Sequence, residues 1–293
     1  MGDLVGPFSN SYLELFLNSA LSEGEALGPL ALFFLFLARM LPIIALSPFF
    51  GARVLPNPVK VVLAMTLFVI FLPKLLILTS IPIGFNLYTV FLLGKELLIG
   101  FTLGFIISTP FSIAQNAGII IDHQRGGAAL MVNDPTIQNQ SSPLGQLFNY
   151  VLILLFFQVD APFLFLDAIS KSYDVIPPDA FLNEKFFTRD TPFWKLMFTI
   201  LNDVMIVSIQ LATPALLIML MTDLFLGIAN RLAPQVQITF LGMALKSLLG
   251  LVIVALGWPV LTSLFMKISI DWINRIVQIL NSLNNILKEA PPA

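Results

Sequence analysis

The chain has 293 residues, of which 57% are hydrophobic and only 11% charged, and its mean hydropathy is +0.92. Soluble domains carry about a quarter charged residues, so this composition describes a membrane protein. The net charge of −2, with 15 Lys and Arg scattered along the chain, offers no basic footprint for nucleic acid, and the lack of cysteine excludes disulfides, thiolate nucleophiles and thiolate metal sites.

The first 26 residues hold Asp3, Glu14, Glu23 and Glu25 and no Lys or Arg, the reverse of the basic start of a secretory leader, so no cleaved leader is expected. Residues 27–50 form the first apolar run, long enough to cross a hydrocarbon core of about 30 Å at about 1.5 Å per residue. Further runs lie at about 61–82, 87–121, 147–168, 196–230 and 236–266, which predicts an all-α, multi-pass chain with six or seven membrane-scale helices. Pro42, Pro48, Pro73, Pro110, Pro162, Pro214 and Pro259 fall inside or at the ends of these runs and predict kinked helices or paired half-helices.

Three polar segments divide the apolar mass: 51–60 with Arg53 and Lys60, 122–145, and 170–195, the last expected to be a small polar lobe. An acidic start and a basic first loop point the N-terminus outward and that loop to the cytoplasm. Residues 1–266 thus read as one multi-helix membrane domain. Residues 267–293 read as a C-terminal amphipathic helix and tail: between 268 and 287, Trp272, Ile276, Leu280, Leu283 and Leu287 share one face, and Arg275, Gln278, Asn281 and Asn285 the other. That helix suits either the membrane interface or a partner subunit.

Charges inside apolar runs are the strongest functional signal, because lipid does not tolerate them. They are Arg39, Lys74, Lys95, Glu96, Asp203, Asp223 and Lys246, with Arg231 at the elbow of a hairpin over 213–250. Such residues serve either as relays along a conduit or as polar contacts between subunits. Lys95 and Glu96 are neighbours, about 100° apart on a helix, so each is expected to seek a different partner. Gly100 and Gly104 form GxxxG, which lets another helix backbone approach closely. The segment 122–145, DHQRGGAALMVNDPTIQNQSSPLG, combines the flexible pair Gly126 and Gly127 with Met131, Asn133 and Gln138, and is either an extramembrane loop or the lining of a water-filled conduit. Asp160 and Asp167 are expected to be solvated or capping carboxylates. The lone histidine, His123, has no triad or metal partner in the sequence, so no catalytic, metal or cofactor residue is assigned and an enzyme is not expected.

Four ordered blocks resemble the FliR/SctT (SpaR, YscT) family of type III secretion export-apparatus membrane proteins, over nearly the whole chain. They are LARMLPIIALSPFFGARVLPNPVKVVLA, GFIISTPFSIAQNAGIIIDHQRGGAALMVNDPTIQNQSSPLGQLF, DAISKSYDVIPP and TPALLIMLMTDLFLGIANRLAPQVQITFLGMALKSLLG. The resemblance implies a non-enzymatic bacterial inner-membrane subunit that joins SctR-like, SctS-like and SctU-like subunits in a helical export gate for unfolded secreted polypeptides. It further implies that much of the apolar surface meets protein, that helices of membrane type sit above the bilayer plane in the assembly, and that the 122–145 segment helps to close the channel. The wording SYDVIPP is nearer the injectisome branch than the flagellar one, and the final segment from about 267 is an extension that the resemblance does not cover. The rival reading from the residues is an ion-coupled secondary transporter with Asp203, Asp223 and Lys246 at a midplane site.

Overall fold

The computed structural model describes Leu17, Ser19, Leu21 and residues 27–50, 55–127, 142–181, 192–232 and 238–288. Its helices are α1 (Gly28–Leu46), α2 (Asn57–Leu78), α3 (Leu87–Asp122), α4 (Pro143–Gln158), α5 (Ala161–Val175), α6 (Pro192–Leu232), α7 (Ile238–Leu256) and α8 (Trp258–Lys288), with a short 3-10 turn at Pro48–Phe50. Among the described residues there is no strand, as an apolar environment demands of a chain that does not close into a barrel. Four helices are long and apolar enough to cross a membrane, and two further pairs of shorter helices pass as broken spans, giving an all-α, multi-pass membrane protein.

Helix ends are finished by the chain itself. Ser47 donates both its backbone N–H and its hydroxyl to the Ile43 carbonyl, at 3.0 and 2.7 Å, and Thr79 does the same to the Leu75 carbonyl. Each device occupies a C-terminal carbonyl that would otherwise face a medium without water. The prolines divide into two groups. Pro42, Pro73, Pro110 and Pro214 lie inside continuous helices, whereas Pro162 and Pro259 stand in the first turn of α5 and α8, where a missing N–H costs nothing. The two broken spans are therefore interrupted just ahead of these two prolines. One break holds Asp160 at φ +54°, and the other, at Gly257, bends Gly242–Leu256 and Trp258–Trp272 by 63°.

Two expected boundaries meet helix instead. Residues 170–175, expected to open a polar lobe, belong to α5, which continues to Val175, and Ser170 and Ser172 there bond within the fold. The amphipathic helix expected from 268 is the distal part of α8, which starts at Trp258, since nothing between Met266 and Ile268 breaks the helical ladder and the real break is Gly257.

The chain divides into two compact units, Met1–Ser108 with Pro162–Met197 and Ile273–Ala293, and Thr109–Ala161 with Phe198–Trp272. In the first, α1 packs on α2, and Phe36, Phe71 and Tyr173 form an aromatic centre in which Phe36 and Tyr173 stack at 6.0 Å. In the second, Phe111 meets Phe156 at 5.4 Å and Phe148 meets Phe265 at 5.5 Å.

Candidate functional site

A buried ionic cluster lies within the first unit. Arg39 on α1 is fully buried, as is Glu96 on α3, and the guanidinium grips the carboxylate through Nε to Oε2 and through Nη2 to Oε1, the latter at 2.8 Å. Lys95 reaches the same carboxylate at 2.8 Å. Glu96 takes Arg39 as its partner and Lys95 takes the carbonyls of Pro177, Pro178 and Ala180; beyond the expectation of separate partners, the two also meet each other, because the four-carbon Lys95 stem lets the ammonium turn back onto its neighbour. GxxxG lies behind this arrangement. A Cβ at Gly100 would collide with the Arg39 carbonyl, and one at Gly104 would come within 3.0 Å of the Pro42 carbonyl, so the glycines bring α3 onto the backbone of α1 just where Arg39 must meet Glu96.

Two cations against one carboxylate leave an excess positive charge, and the chain after α5 supplies its balance. Ile176 O accepts from Arg39 Nη2 at 2.8 Å, while Pro177 O, Pro178 O and Ala180 O accept from Lys95 Nζ at 2.8, 3.2 and 2.8 Å. These carbonyls sit at and beyond a helix C-terminus, the negative end of its dipole. The two prolines follow the end of the helix, and the chain from Ile176 to Ala180 bends so that its carbonyls turn inward, which is the physical content of the SYDVIPP block. Ser172 accepts from Arg39 Nη1 at 3.1 Å, and the Tyr173 ring lies 3.9 Å from the guanidinium carbon in a cation–π contact. The Tyr173 hydroxyl and Asn149 Oδ1 are buried without a partner among the described residues.

The same segment is fastened from its other side. Asp179 Oδ2 accepts from the backbone N–H of Ser80 and Ile81 at 2.7 and 3.1 Å, and its carbonyl accepts from Tyr88 at 3.1 Å. Lys74 meets Asp174 at 2.6 Å and Ser170 at 2.7 Å nearer the surface. Residues 170–180 are thus pinned to α1, α2, α3 and the α2–α3 connection.

The hairpin charges form a second constellation. Gly242, Lys246 and Gly250 recur every fourth residue along α7 and face Leu226, Asp223 and Met219 of α6: Lys246 pairs with Asp223 at 2.7 Å, and Cβ atoms at Gly242 and Gly250 would stand 2.9 and 3.3 Å from the Leu226 and Met219 side chains. The pair sits at an edge, with Asp223 41% exposed. Arg231 is exposed in the last turn of α6, where a cation complements the helix dipole. Asp167 pairs with Lys171 on the surface.

At the 122–145 segment, Asp122 is the last residue of α3 and Ser142 the N-cap of α4. A wide, π-type turn runs from His123 to Gly127, and Gly126 there adopts φ +95°, a left-handed conformation open to glycine. Asp122, which sequence reasoning placed in the loop, is buried and accepts from Ser142 Oγ, from Leu144 N at 2.9 Å and from Arg125 Nε at 2.8 Å. Met131, Asn133 and Gln138 lie outside the described residues. Among the described residues no group of three or more potential metal ligands occurs.

Comparison with known proteins gives one consistent direction. The family described as "Bacterial export proteins, family 1" matches residues 30–270. The chain is 31% identical over 157 residues to Yop proteins translocation protein T of Yersinia pestis, covering 53% of this chain and 58% of that protein, so it spans little more than half of that relative. It is 29% identical over 226 residues to secretion system apparatus protein SsaT of Salmonella typhimurium, 76% of this chain and 83% of the relative. It is 28% identical over 255 residues to flagellar biosynthetic protein FliR of Escherichia coli, 87% of this chain and 94% of that one.

Proposed function

Because this chain belongs to the bacterial export proteins, family 1, we propose that it is a non-enzymatic wall subunit of a type III protein export gate in the bacterial inner membrane. The observation that carries this reading is the exterior of α6. Exposed large apolar side chains run from Phe198 through Met205, Ile209, Leu217, Leu224 and Ile228 to Leu232. At about 1.5 Å per residue this stripe is about 51 Å long, against a hydrocarbon core of about 30 Å. Burying it in lipid alone would require a tilt of about 54°, beyond the range of about 0–40° that membrane helices adopt. Cover of the remainder by other protein fits this length, and the relatives named for translocation, a secretion apparatus and flagellar biosynthesis supply the setting.

In this reading the partners are the SctR-like, SctS-like and SctU-like subunits of the apparatus, and the passenger is unfolded polypeptide. The Arg39–Glu96–Lys95 cluster is internal and keeps the first unit in one shape while its outer faces bind neighbours. Asp223, Lys246 and Arg231 fix the α6–α7 hairpin and present the residual polarity at its edge to those neighbours. Gly126, Gly127, Met131, Asn133 and Gln138 belong to a gate segment that closes the conduit. The injectisome form of the apparatus is favoured by the SYDVIPP block.

The test is extraction of the tagged chain in mild detergent from cells with a complete export apparatus. Co-purification of small, highly apolar membrane subunits is the expected result. Recovery of the chain alone, active in proton- or sodium-driven uptake after reconstitution, would replace this reading with a transporter.

A further inference from the structure

The connection between α2 and α3 turns its polar groups inward and its hydrocarbon outward. From residue 75 to 94 no side chain carries a charge. Around the connection Phe34, Ile81, Phe85, Leu87 and Phe91 are exposed, Leu87 at 75%, and the Phe34 and Phe85 rings meet edge to face at 6.2 Å. A Cβ on Gly28 would stand 2.9 Å from the Ile83 carbonyl, so the start of α1 is seated on this same end of the first unit. Thr79 donates to the Leu75 carbonyl, Thr89 to the Gly84 carbonyl and Tyr88 to the Asp179 carbonyl, while the buried Asp179 carboxylate accepts from the backbone N–H of Ser80 and Ile81. A loop in water needs no buried carboxylate for its amides, because water serves them. Only the side chains of Ser80 and Asn86 add polarity to the outer surface of the connection.

Charge returns just beneath. Lys74 lies one turn before the end of α2, about 6 Å from the connection at about 1.5 Å per residue, and pairs with Asp174 of α5. Asp167, about 10 Å back along α5 from Asp174, pairs with Lys171. These four side chains are between 32% and 56% exposed, and each pair is complete in itself, as ion pairs that face water are. A bilayer high enough to bathe the apolar end would put this charged collar in hydrocarbon. One low enough to leave the collar in water would leave the apolar end in water as well, which a patch of this kind does not tolerate without a partner. Protein satisfies both conditions.

We propose that the α2–α3 end of the first unit is a docking crown for an uncharged, apolar segment of another protein subunit. A charged segment is excluded because an ammonium or carboxylate pressed against the crown would find Asp179 and the Thr79, Tyr88 and Thr89 hydroxyls already engaged, and a buried charge without a partner is strongly unfavourable. An amide or hydroxyl beside Ser80 and Asn86 is the most polarity the contact can match. The inference rests on the export-gate reading only for where that subunit comes from.

Because the chain lacks cysteine, Leu87→Cys on the crown and Lys171→Cys on the collar are unique reporters for a charged maleimide in membranes. With the complete apparatus present, Leu87→Cys should label at least about tenfold more slowly than when the chain is made without the other subunits, since a docked segment excludes water. Lys171→Cys should label at rates within about twofold of each other in the two membranes. A photoreactive group on Leu87→Cys should join the chain to a different apparatus subunit. Leu87→Glu, which sets a charge into the contact at an exposed position, should lower the amount of assembled complex by about tenfold or more, and Leu87→Met should leave it within about twofold. Slow labelling of Leu87→Cys with and without the other subunits would mean that lipid covers it, and fast labelling in both that water does; either overturns the crown. So does a cross-link only to lipid or to a second copy of this chain, or a Lys171→Cys as slow as Leu87→Cys in membranes without the other subunits. Should Leu87→Glu fail to accumulate, labelling and cross-linking decide. Subunits that co-purify while Leu87→Cys stays open overturn the crown and leave the export gate, whereas no co-purifying subunit overturns both.

Discussion

Replacing Glu96 by Gln should be among the most damaging single changes in the first unit. The carboxylate receives Arg39 through two nitrogens and Lys95 through a third, and both cations are buried with it. Gln retains one acceptor and adds an NH2 that faces a cation, leaving two positive charges held only by Ser172, four backbone carbonyls and the Tyr173 ring. Breaking a buried ion pair by removing one partner costs about 3–5 kcal/mol. The surrounding carbonyls place this case at the lower end, about 3 kcal/mol, which for a chain of this size lowers the melting temperature by about 5 °C. Lys95→Met should be milder: it leaves Arg39 and Glu96 as a neutral, two-point pair, and its cost is three carbonyls without their donor, about 1–3 kcal/mol. The double variant should lose less than the sum, because one buried cation then remains where Glu96→Gln alone leaves two. Thermal unfolding in a mild detergent, followed by near-UV circular dichroism, ranks the variants. Glu96→Gln as stable as the wild type, or Lys95→Met below Glu96→Gln, would refute the assignment of Glu96 as the shared counter-ion.

Glycine substitutions test the close helix contacts. Gly100→Ala and Gly118→Ala each force a methyl into another helix's backbone and should cost about 1–3 kcal/mol, while Gly94→Ala meets open space and should be neutral or slightly stabilising, all read from the same melts. For the hairpin, Asp223→Lys and Lys246→Asp should each reduce the amount of assembled complex on native gels, and the combined exchange should recover it; the coupling is at most about 1 kcal/mol because the pair is partly exposed. Asp179→Ala removes the acceptor for Ser80 and Ile81 and should destabilise by about 1–3 kcal/mol, whereas Asp174→Asn, at a half-exposed pair, should change the melt by about 1 kcal/mol or less.

The sequence makes the spans legible because each is a local property, a run of apolar residues of bilayer length, and the charges within them are conspicuous for the same reason. What they bond to is not local. Arg39 finds Glu96 at a separation of 57 residues and Ser172 at 133, and no period or motif encodes such pairings. Asp122 was hidden by its setting: it opens a polar stretch, so it reads as loop, yet the last helical turn of α3 is what aims it at Ser142. The Gly118–Gly145 contact has no GxxxG spacing to reveal it, since its two members come from different helices. In the SYDVIPP block, the useful groups are carbonyls, which every residue carries. Only the paired prolines hinted that the helix stops there and leaves its carbonyls to other donors. The prolines separate in kind: Pro162 and Pro259 begin helices just after a break, whereas at Pro42, Pro73, Pro110 and Pro214 the helix runs on through the residue.

The proposed function requires that protein, not lipid alone, covers the long apolar exterior of α6. Single cysteines at Leu201, Leu217 and Leu224, and at Leu232 near its end, can be joined to a photoreactive label in membranes that hold the complete apparatus, exploiting the absence of native cysteine. Cross-links to other apparatus subunits are expected, extending over more of the stripe than a bilayer leaves uncovered. Cross-linking to lipid alone at all four positions would contradict it.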